Sequence, residues 1–397
     1  MLPERAEILI VGGGIIGLTI ARELLARGRG DVLVLEKEPG LGAHASGRNS
    51  GVLHAGIYYA PDSRKARTCL AGNRLMKAFC RSKGLPLLEC GKVIVARDAS
   101  ELPALDELHR RATANGARVE MVDPARLAEI EPAARTVERA IHSLETAVVD
   151  PKAVLARLRA DLEESGRVRI LPGVRVLGPG GAASVRTTAG TFGYGMLVNA
   201  AGAHCDTVAR AFGVGTPYRL IPFKGIYRKL RPGARLKVRG NIYPVPDPRN
   251  PFLGVHFTPS VHGDVYLGPT AIPAFGRENY GVLRGADRDG FRIAWEDLVL
   301  FFRNAGFRNV ALTEPRKYLP AFLHRDAARL VHGFDPADVE AADKVGIRPQ
   351  LVDWRTKELV MDFLVERAGA TVHVLNPISP AFTSSMELAR QIVAEHL

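Results

Sequence analysis

Three glycines, Gly12, Gly14 and Gly17, follow the apolar run Ile8–Val11 and open directly into the helical pattern IIGLTIARELLARG. Residues of this type at this spacing hold a pyrophosphate. Gly12 permits a tight turn off a strand, Gly14 lets the backbone approach the phosphates, and Gly17 lets helix and strand pack closely. The helix start, at Ile15 and Ile16, offers free N–H groups and the positive end of its dipole. About twenty residues on, the run Asp31–Leu35 ends in Glu36, followed by Lys37; a carboxylate there accepts both hydroxyls of a ribose and disfavours a 2′-phosphate. Strand, glycines, helix, strand and acid, in this order, predict a dinucleotide-binding βαβ unit at the start of the chain.

The elements that must position this turn follow from pattern. A chain of 397 residues, 46% hydrophobic and 24% charged, suggests two globular domains. No repeat, low-complexity tract or long linker separates them, so the domains are expected to interleave. A nucleotide domain is expected from 1–85, 145–215 and 335–397, and a substrate domain from 86–144 and 216–334. Helices are predicted over Ser63–Lys83, Ser100–Asn115, from Asp150–Pro151 to Ser165, around Trp295–Asn304 and from Ser384 onward. Strands are predicted at Val93–Ala96, Arg118–Val122, Val168–Leu171, Val174–Leu177, Met196–Ala200, Gly225–Leu230, Phe252–Thr258, Val360–Glu366 and Thr371–Leu375, with a hairpin turn at Leu177–Ser184. The expected class is α/β: a discontinuous Rossmann-like domain interleaved with an α+β domain built on a mixed or antiparallel sheet. Met196–Ala200 ends in Ala201-Gly202, a further expected contact of the sheet's carboxyl edge with the nucleotide, and Val176 joins the expected contact set.

Composition excludes several classes. No window approaches eighteen consecutive apolar residues, so no membrane span is expected. The first strand begins a few residues after Met1, which leaves no room for a targeting peptide and makes a cytoplasmic location the expectation. Cys69, Cys80, Cys90 and Cys205 show no CxxC pairing and no partner histidines at ligand spacing; reduced thiols are expected, with no disulfide framework and no metal. A net charge of +12 suits nucleic acid, anionic lipid or an acidic substrate. Arginines scatter through most of the chain, which argues against a nucleic-acid stripe. The densest basic cluster, Arg228, Lys229, Arg231, Arg235, Lys237 and Arg239, reads as a solvated face, with peripheral docking on an anionic inner membrane as its functional alternative.

Beyond Glu36 a second small-residue loop, Gly40-Leu-Gly-Ala-His-Ala-Ser46-Gly-Arg-Asn49-Ser50-Gly51, suits an extended flavin dinucleotide. Here the chain resembles the D-amino-acid oxidase-like superfamily of FAD enzymes. Within it, the blocks SGRNSGVLHAGIYYAPDSRKARTC (Ser46–Cys69), NIYPVPDPRNPFLGVHFT (Asn241–Thr258), GIRPQLVD (Gly346–Asp353) and HVLNPISPAFTSS (His373–Ser385) resemble the L-2-hydroxyglutarate oxidase/dehydrogenase family over nearly the full length. The resemblance implies FAD and oxidation of the (S)-enantiomer of 2-hydroxyglutarate to 2-oxoglutarate, with hydride passing from C2 to the flavin. A separate acceptor, whether quinone, electron-transfer protein or oxygen, then takes the electrons.

That chemistry needs a cation for the carboxylate beside C2, a base for the hydroxyl proton and a flavin facing the hydrogen. By resemblance, Arg348 occupies the carboxylate-gripping position, where a guanidinium donates two parallel hydrogen bonds, and it also borders the flavin. His54 matches a flavin neighbour, and some relatives attach the flavin covalently through such a histidine. His256, on a predicted strand, is the preferred base because imidazole titrates near neutral pH. Lys224 matches a basic flavin neighbour that stabilises negative charge. Tyr58, Tyr59 and Tyr227 are expected in the pocket. The distal carboxylate needs a second cation, for which Lys65 and Arg249 both stand within the family-like blocks. The tail loop Asn376–Ser385, with Asn376, Ser379, Pro380, Ala381 and Thr383, resembles the segment whose amides hold the flavin's pyrimidine end. The family's loop commonly runs Asn-Ala-Pro-Ser-Pro, whereas this chain has Asn376-Pro377-Ile378-Ser379-Pro380 and carries the bulky Phe382 where a small residue is usual. Two readings compete with the leading one: an oxidase of amino or N-methyl amino acids on the same fold, and a flavin-carrying binding protein.

Overall fold

The apolar run at the amino terminus becomes the strand Arg5–Val11, a central strand of a parallel sheet, because every residue from Ile8 to Val11 is buried on both faces. The computed structural model describes residues 5–246, 253–281, 285 and 289–397. The chain divides into two compact units: Met1–Asn49, Pro151–Pro222 and Arg348–Leu397 form one, Ser50–Asp150 and Phe223–Ile347 the other.

In the first unit, the parallel strands run in the order Val168–Leu171, Val32–Leu35, Arg5–Val11, Gly190–Asn199 and Thr371–Val374. Their register aligns the carboxyl ends: Leu171 lies opposite Leu35, Leu35 opposite Val11, Val11 opposite Asn199, and Asn199 opposite His373. A doubly wound sheet binds nucleotides along such an edge. The helix Ile15–Ala26 packs against Pro151–Glu164 and Ala381–His396, burying Ile15, Ile16, Leu18, Ile20, Ala21 and Leu24. The turn at Leu177–Ser184 closes an antiparallel pair, Val176–Gly181 with Ser184–Thr187, one residue pair further on than the expected strand Val174–Leu177.

The second unit is α+β. Lys92–Val95 runs parallel to Asn241–Pro244 and antiparallel to Ala140–Ser143, which pairs in turn with Val119–Val122. Asn241–Pro244 continues through His256–Pro259 and Val265–Gly268 to the strand bearing Arg228 and Lys229. Strand alternation sorts side chains onto two faces. Ile94, Ala96, Ile141 and Tyr243 pack with Leu102, Leu105, Leu108 and Ala112 of the helix Leu102–Ala114, while Val93, Val95, Ile242 and Phe257 pack with Leu323, Ala327 and Leu330. Ser63 caps the helix Arg64–Ser82 by accepting the Ala66 N–H at 3.1 Å. From this helix Asn73 donates to Leu53 O, His54 O and Glu145 O, which ties residues 50–85 to the second unit, where the sequence reading grouped them with the first.

Three elements depart from the expected bounds. The predicted strand Val360–Glu366 is replaced by Glu358–Leu359 and Val365–Ala368, because the Asn376 amide takes the carbonyls of Val360 and Asp362. The final helix starts at Ala381, ahead of the expected Ser384. Val339–Asp353 is a strand of 15 residues that its sequence, carrying Asp343, Lys344, Gly346 and Pro349, does not announce, since ladder pairing with distant strands overrides weak local propensity.

Candidate active site

The glycine turn of the first unit is a cradle in which side chains have no room. Gly12 holds φ +109, and a Cβ there would stand 2.5 Å from Ala200 O; a Cβ on Gly17 would stand 2.0 Å from Gly12 O. Gly14 is the N-cap of the helix Ile15–Ala26 and supplies no side chain to its first N–H groups, and no acid stands in the first turn, so the positive helix end is left for an anion. Ser46 Oγ accepts the Ile15 N–H at 2.9 Å, fastening the second small-residue loop to the first. A Cβ on Gly47 would stand 2.1 Å from Gly42 O, and Asn49 donates to Ser46 O at 2.7 Å, so this loop is equally close-packed.

Glu36 follows the second strand as expected. Its Oε2 accepts the Gly13 N–H and its Oε1 the Glu38 N–H, each at 2.9 Å, which fixes the carboxylate while leaving each oxygen a lone pair for a ribose hydroxyl. Lys37 turns to Glu38 and to His44, 2.8 Å away, and holds the loop rather than reaching over the cradle.

The carboxyl edge is organised by two residues that pattern reading passed over. Asn199 donates to Cys205 O at 2.8 Å and to His373 Nδ1 at 3.1 Å, and its Oδ1 accepts the Ala201 N–H at 3.2 Å. The corner Ala201-Gly202, with Gly202 at φ +56, is thereby held in place. Since His373 Nδ1 accepts, its Nε2 carries the proton and donates to Thr371 Oγ1 at 2.9 Å. Burial pushes the His373 imidazole down to about 4. The unfolded state binds this proton at higher pH than the folded state, so stability is expected to fall as pH drops from about 6.5 toward about 4. Acid titration of the melting temperature checks this: His373→Gln should flatten the slope in that window.

In the tail, Asn376 donates to Val360 O at 2.8 Å and Asp362 O at 2.6 Å, while its buried Oδ1 and the buried Ser384 Oγ meet no partner among the described residues. Ser379 and Pro380 lead into the helix, Ala381 N–H donates to Ile378 O at 2.8 Å, and Thr383 is buried. Orphaned buried polar atoms of this kind mark a place for a ligand. Arg348 stands half-buried on the strand Val339–Asp353, and Val176 opens the strand that pairs with Ser184–Thr187.

In the second unit, a cation lies buried among aromatic rings. Lys92 is 1% exposed, with its Nζ 3.5 Å from His54 Nδ1, 4.9 Å from the Tyr58 ring centre and 4.5 Å from that of Tyr243. Tyr243 stacks on His256 with ring centres 3.8 Å apart. Burial drives the Lys92 ammonium down to about 7. Tyr58 Oη is buried without a partner among the described residues. His54, Tyr58 and His256, all proposed from sequence, are thus brought together around a lysine that sequence reading omitted.

The structure revises His256. Its Nδ1 lies 2.9 Å from Gly254 O, so that nitrogen carries the proton and Nε2 keeps the lone pair. Burial, opposed by this hydrogen bond and reinforced by Lys92, pushes the imidazole down to about 3, so it does not titrate near neutral pH as its residue type suggested. Lys224 is buried and donates to Asn279 Oδ1 at 2.9 Å and Gly281 O at 2.7 Å, tying down that segment. Tyr227 makes an edge contact with Tyr266, and Lys344 lies over both rings. Lys65 is buried, 5.9 Å from the Tyr59 ring centre. Ser50 Oγ accepts the Val52 N–H, and Gly51 O accepts the Val149 N–H. Arg249 falls outside the described residues.

The cysteines are free thiols, and burial raises Cys69 to about 12 and Cys80 and Cys90 to about 11. Within the basic cluster Arg228–Arg239, Lys229 meets Asp264 at 3.3 Å and Glu340 at 3.4 Å, and Arg239 donates to Glu129 O. No helix among the described residues is long and apolar enough to cross a membrane.

Residues 7–395 match the family described as FAD dependent oxidoreductase. The chain is 36% identical over 416 residues to a mitochondrial L-2-hydroxyglutarate dehydrogenase of Caenorhabditis elegans, covering 98% of this chain and 92% of that one. It is 33% identical to an L-2-hydroxyglutarate dehydrogenase of Indibacter alkaliphilus, covering 96% of each. Among solved structures it is similar to the FAD-bound, dithionite-reduced L-alpha-glycerophosphate oxidase of Mycoplasma pneumoniae, with a TM-score of 0.77 at 21% identity, 98% of this chain and 94% of that one covered. It is also similar to glycine oxidase of Geobacillus kaustophilus, with a TM-score of 0.72 at 20% identity, 99% and 94% covered. These two likenesses establish a shared fold.

Proposed function

The chain belongs to the FAD dependent oxidoreductases and, within them, to the family of the L-2-hydroxyglutarate dehydrogenases, and on that premise we propose that it oxidises L-2-hydroxyglutarate to 2-oxoglutarate. The observation that carries this reading is kinship over nearly the whole chain with proteins of that name.

The residues present fit FAD. Gly12, Gly14 and Gly17 leave room for the pyrophosphate, Glu36 holds a ribose, Ala201 and Gly202 line the carboxyl edge, and Asn376 and Ser384 supply the orphaned polar atoms of the tail. FAD, when bound, accepts the hydride from C2. The protein's task is to hold the substrate and take its hydroxyl proton. By resemblance to the family, the carboxylate beside C2 is assigned to Arg348; in the second unit, Tyr58 keeps a hydroxyl without a partner among the described residues. For the distal carboxylate the described candidate is Lys65.

Proton removal falls to His54 acting with Lys92. His54 Nδ1 and Lys92 Nζ lie 3.5 Å apart in a buried site, where burial favours the neutral amine, so a proton can pass between them. When the pair is neutral, His54 takes the hydroxyl proton at one ring nitrogen and shares the charge with Lys92 through the other. His256, fixed as the Nδ1–H tautomer, presents Nε2 as a hydrogen-bond acceptor and positions rather than deprotonates.

Steady-state assays of the purified flavoprotein with a dye acceptor test the reading. Turnover is expected with the L-enantiomer and at least about a hundredfold less with the D-enantiomer, since a fixed carboxylate cation and base present only one C2 hydrogen. Comparable turnover of glycine, sarcosine or proline contradicts it. Quinone and oxygen as alternative acceptors identify the electron-carrying partner in the same assay.

A further inference from the structure

The loop that carries His54 and Tyr58 is held by side chains from two helices. Strand pairing ahead of it ends where Leu53 meets Ala147, and the next helix starts only at Arg64. Asn73, from the helix Arg64–Ser82, donates to Leu53 O at 2.9 Å and to His54 O at 3.1 Å, and the Cys69 thiol on the same helix lies 3.4 Å from His54 O. Burial raises that thiol to about 12, so it keeps its proton and donates. Asn115, which closes the helix Leu102–Ala114, donates to Gly56 O at 2.8 Å and to Tyr59 O at 3.1 Å. Two carboxamides thus take four carbonyls of one loop.

A carboxamide turned the other way would set its oxygen against these carbonyls, so each Nδ2 must face the loop. Asn73 Oδ1 and Asn115 Oδ1 consequently stay buried with no partner among the described residues. A buried acceptor without a donor is unfavourable, so what the two side chains achieve is the shape of the loop and not their own hydrogen-bond balance. Gly56, at φ +78, makes the turn between the two rings. The outcome is a His54 Nδ1 3.5 Å from Lys92 Nζ and a Tyr58 ring centre 4.9 Å from it.

We infer that Asn73 and Asn115 are positioning residues of the reaction, fixing the loop so that His54 and Tyr58 close on Lys92. The inference rests on proton removal by His54 acting with Lys92. A base displaced by about an ångström loses much of its rate contribution while the fold stands. Lys92 faces His54 and Tyr58 on the loop, Cys69 from the helix, Tyr243 and His256 from neighbouring strands, and Cys90 just ahead of its own strand. A looser loop lets water reach the ammonium, and Lys92 then keeps its proton to higher pH. Neither asparagine titrates, so a moved pH profile reports on the groups they hold.

Asn115→Ala in the full-length, FAD-loaded protein tests it, because Asn115 is half-buried at a helix end, whereas Asn73 is wholly buried and also donates to Glu145 O. The variant should lose about tenfold to a hundredfold in kcat, with KM for L-2-hydroxyglutarate changed by less than about threefold. The rise of activity through about pH 7 should move upward. Asn115→Asp, of the same size but without N–H donors, should show the same loss in kcat, which separates the hydrogen bonds from the packing. Gel filtration and bound flavin absorbance should match the native protein in both, which shows that they fold. Combination with Lys92→Met separates the inference from its premise: if the asparagine acts through the lysine, Asn115→Ala should cost less than about twofold once Lys92 is gone. Native kcat with an unmoved pH profile in folded Asn115→Ala overturns the inference, as does an equal loss in both backgrounds. Native activity in Lys92→Met alone overturns the premise and the inference with it, and is read without touching the asparagine.

Discussion

Gly17→Ala is expected to strip the flavin from the protein. The new Cβ would lie 2.0 Å from Gly12 O and 3.3 Å from Ile10 Cγ2, and its neighbour is backbone, which has no rotamer to yield. Strand Arg5–Val11 and helix Ile15–Ala26 must separate, and the glycine turn between them opens. Overpacking of this kind costs about 1–3 kcal/mol, and because the distortion falls on the phosphate cradle it should appear mainly as lost FAD affinity, about tenfold to a hundredfold. Flavin fluorescence after gel filtration reads the loss directly. Gly40→Ala is the control: no atom lies within 4 Å of a Cβ there, and full flavin content is expected. Equal flavin retention in both variants would contradict the assignment of the cradle.

Lys92→Met is expected to cost activity while making the fold more stable. Removing the amine that shares a proton with His54 should lower kcat/KM by about a hundredfold or more, the usual size of a lost general base contribution. The native enzyme should gain activity as pH rises through about 7, where Lys92 releases its proton, and the variant should lose that limb of the profile. Stability moves the other way. Burial depresses the folded-state Lys92 from 10.5 to about 7, so between these values the unfolded chain binds the extra proton and native stability rises with pH. Methionine fills a similar volume without a charge to desolvate, so the variant should melt higher at neutral pH and lack the rise. An unaltered pH profile in Lys92→Met would reduce the lysine to a packing residue.

The sequence is most legible where local pattern and tertiary structure agree. Gly12, Gly14, Gly17 and Glu36 declare themselves because backbone strain and close approach admit few other residues, and the strand Val168–Leu171 is found where its apolar alternation puts it. Lys92 escapes for a comparable reason in reverse. The strand was expected from Val93, which left Lys92 outside it, yet the strand begins one residue earlier and alternation turns Lys92 to the face of Ile94 and Tyr243. His256 shows the limit of reading chemistry from residue type: an imidazole's ordinary titration range does not survive burial against Tyr243. Asn199 and His373 lie within separately predicted strands, and only the register of those distant strands makes them neighbours. The helices Ala305–Thr313 and Pro320–Ala328 lie in a stretch whose prolines and aromatics suggested sheet; both prolines, Pro315 and Pro320, stand at helix starts, where proline is tolerated.

The most direct measurement is anaerobic addition of each enantiomer of 2-hydroxyglutarate to the purified yellow protein, followed by its visible absorbance. The account predicts that one equivalent of L-2-hydroxyglutarate per flavin bleaches the spectrum and yields 2-oxoglutarate, while the D-enantiomer leaves the colour unchanged. A protein that stays yellow with the L-enantiomer but is bleached by glycine, sarcosine or proline would contradict it, as would one that is colourless and takes up no added FAD.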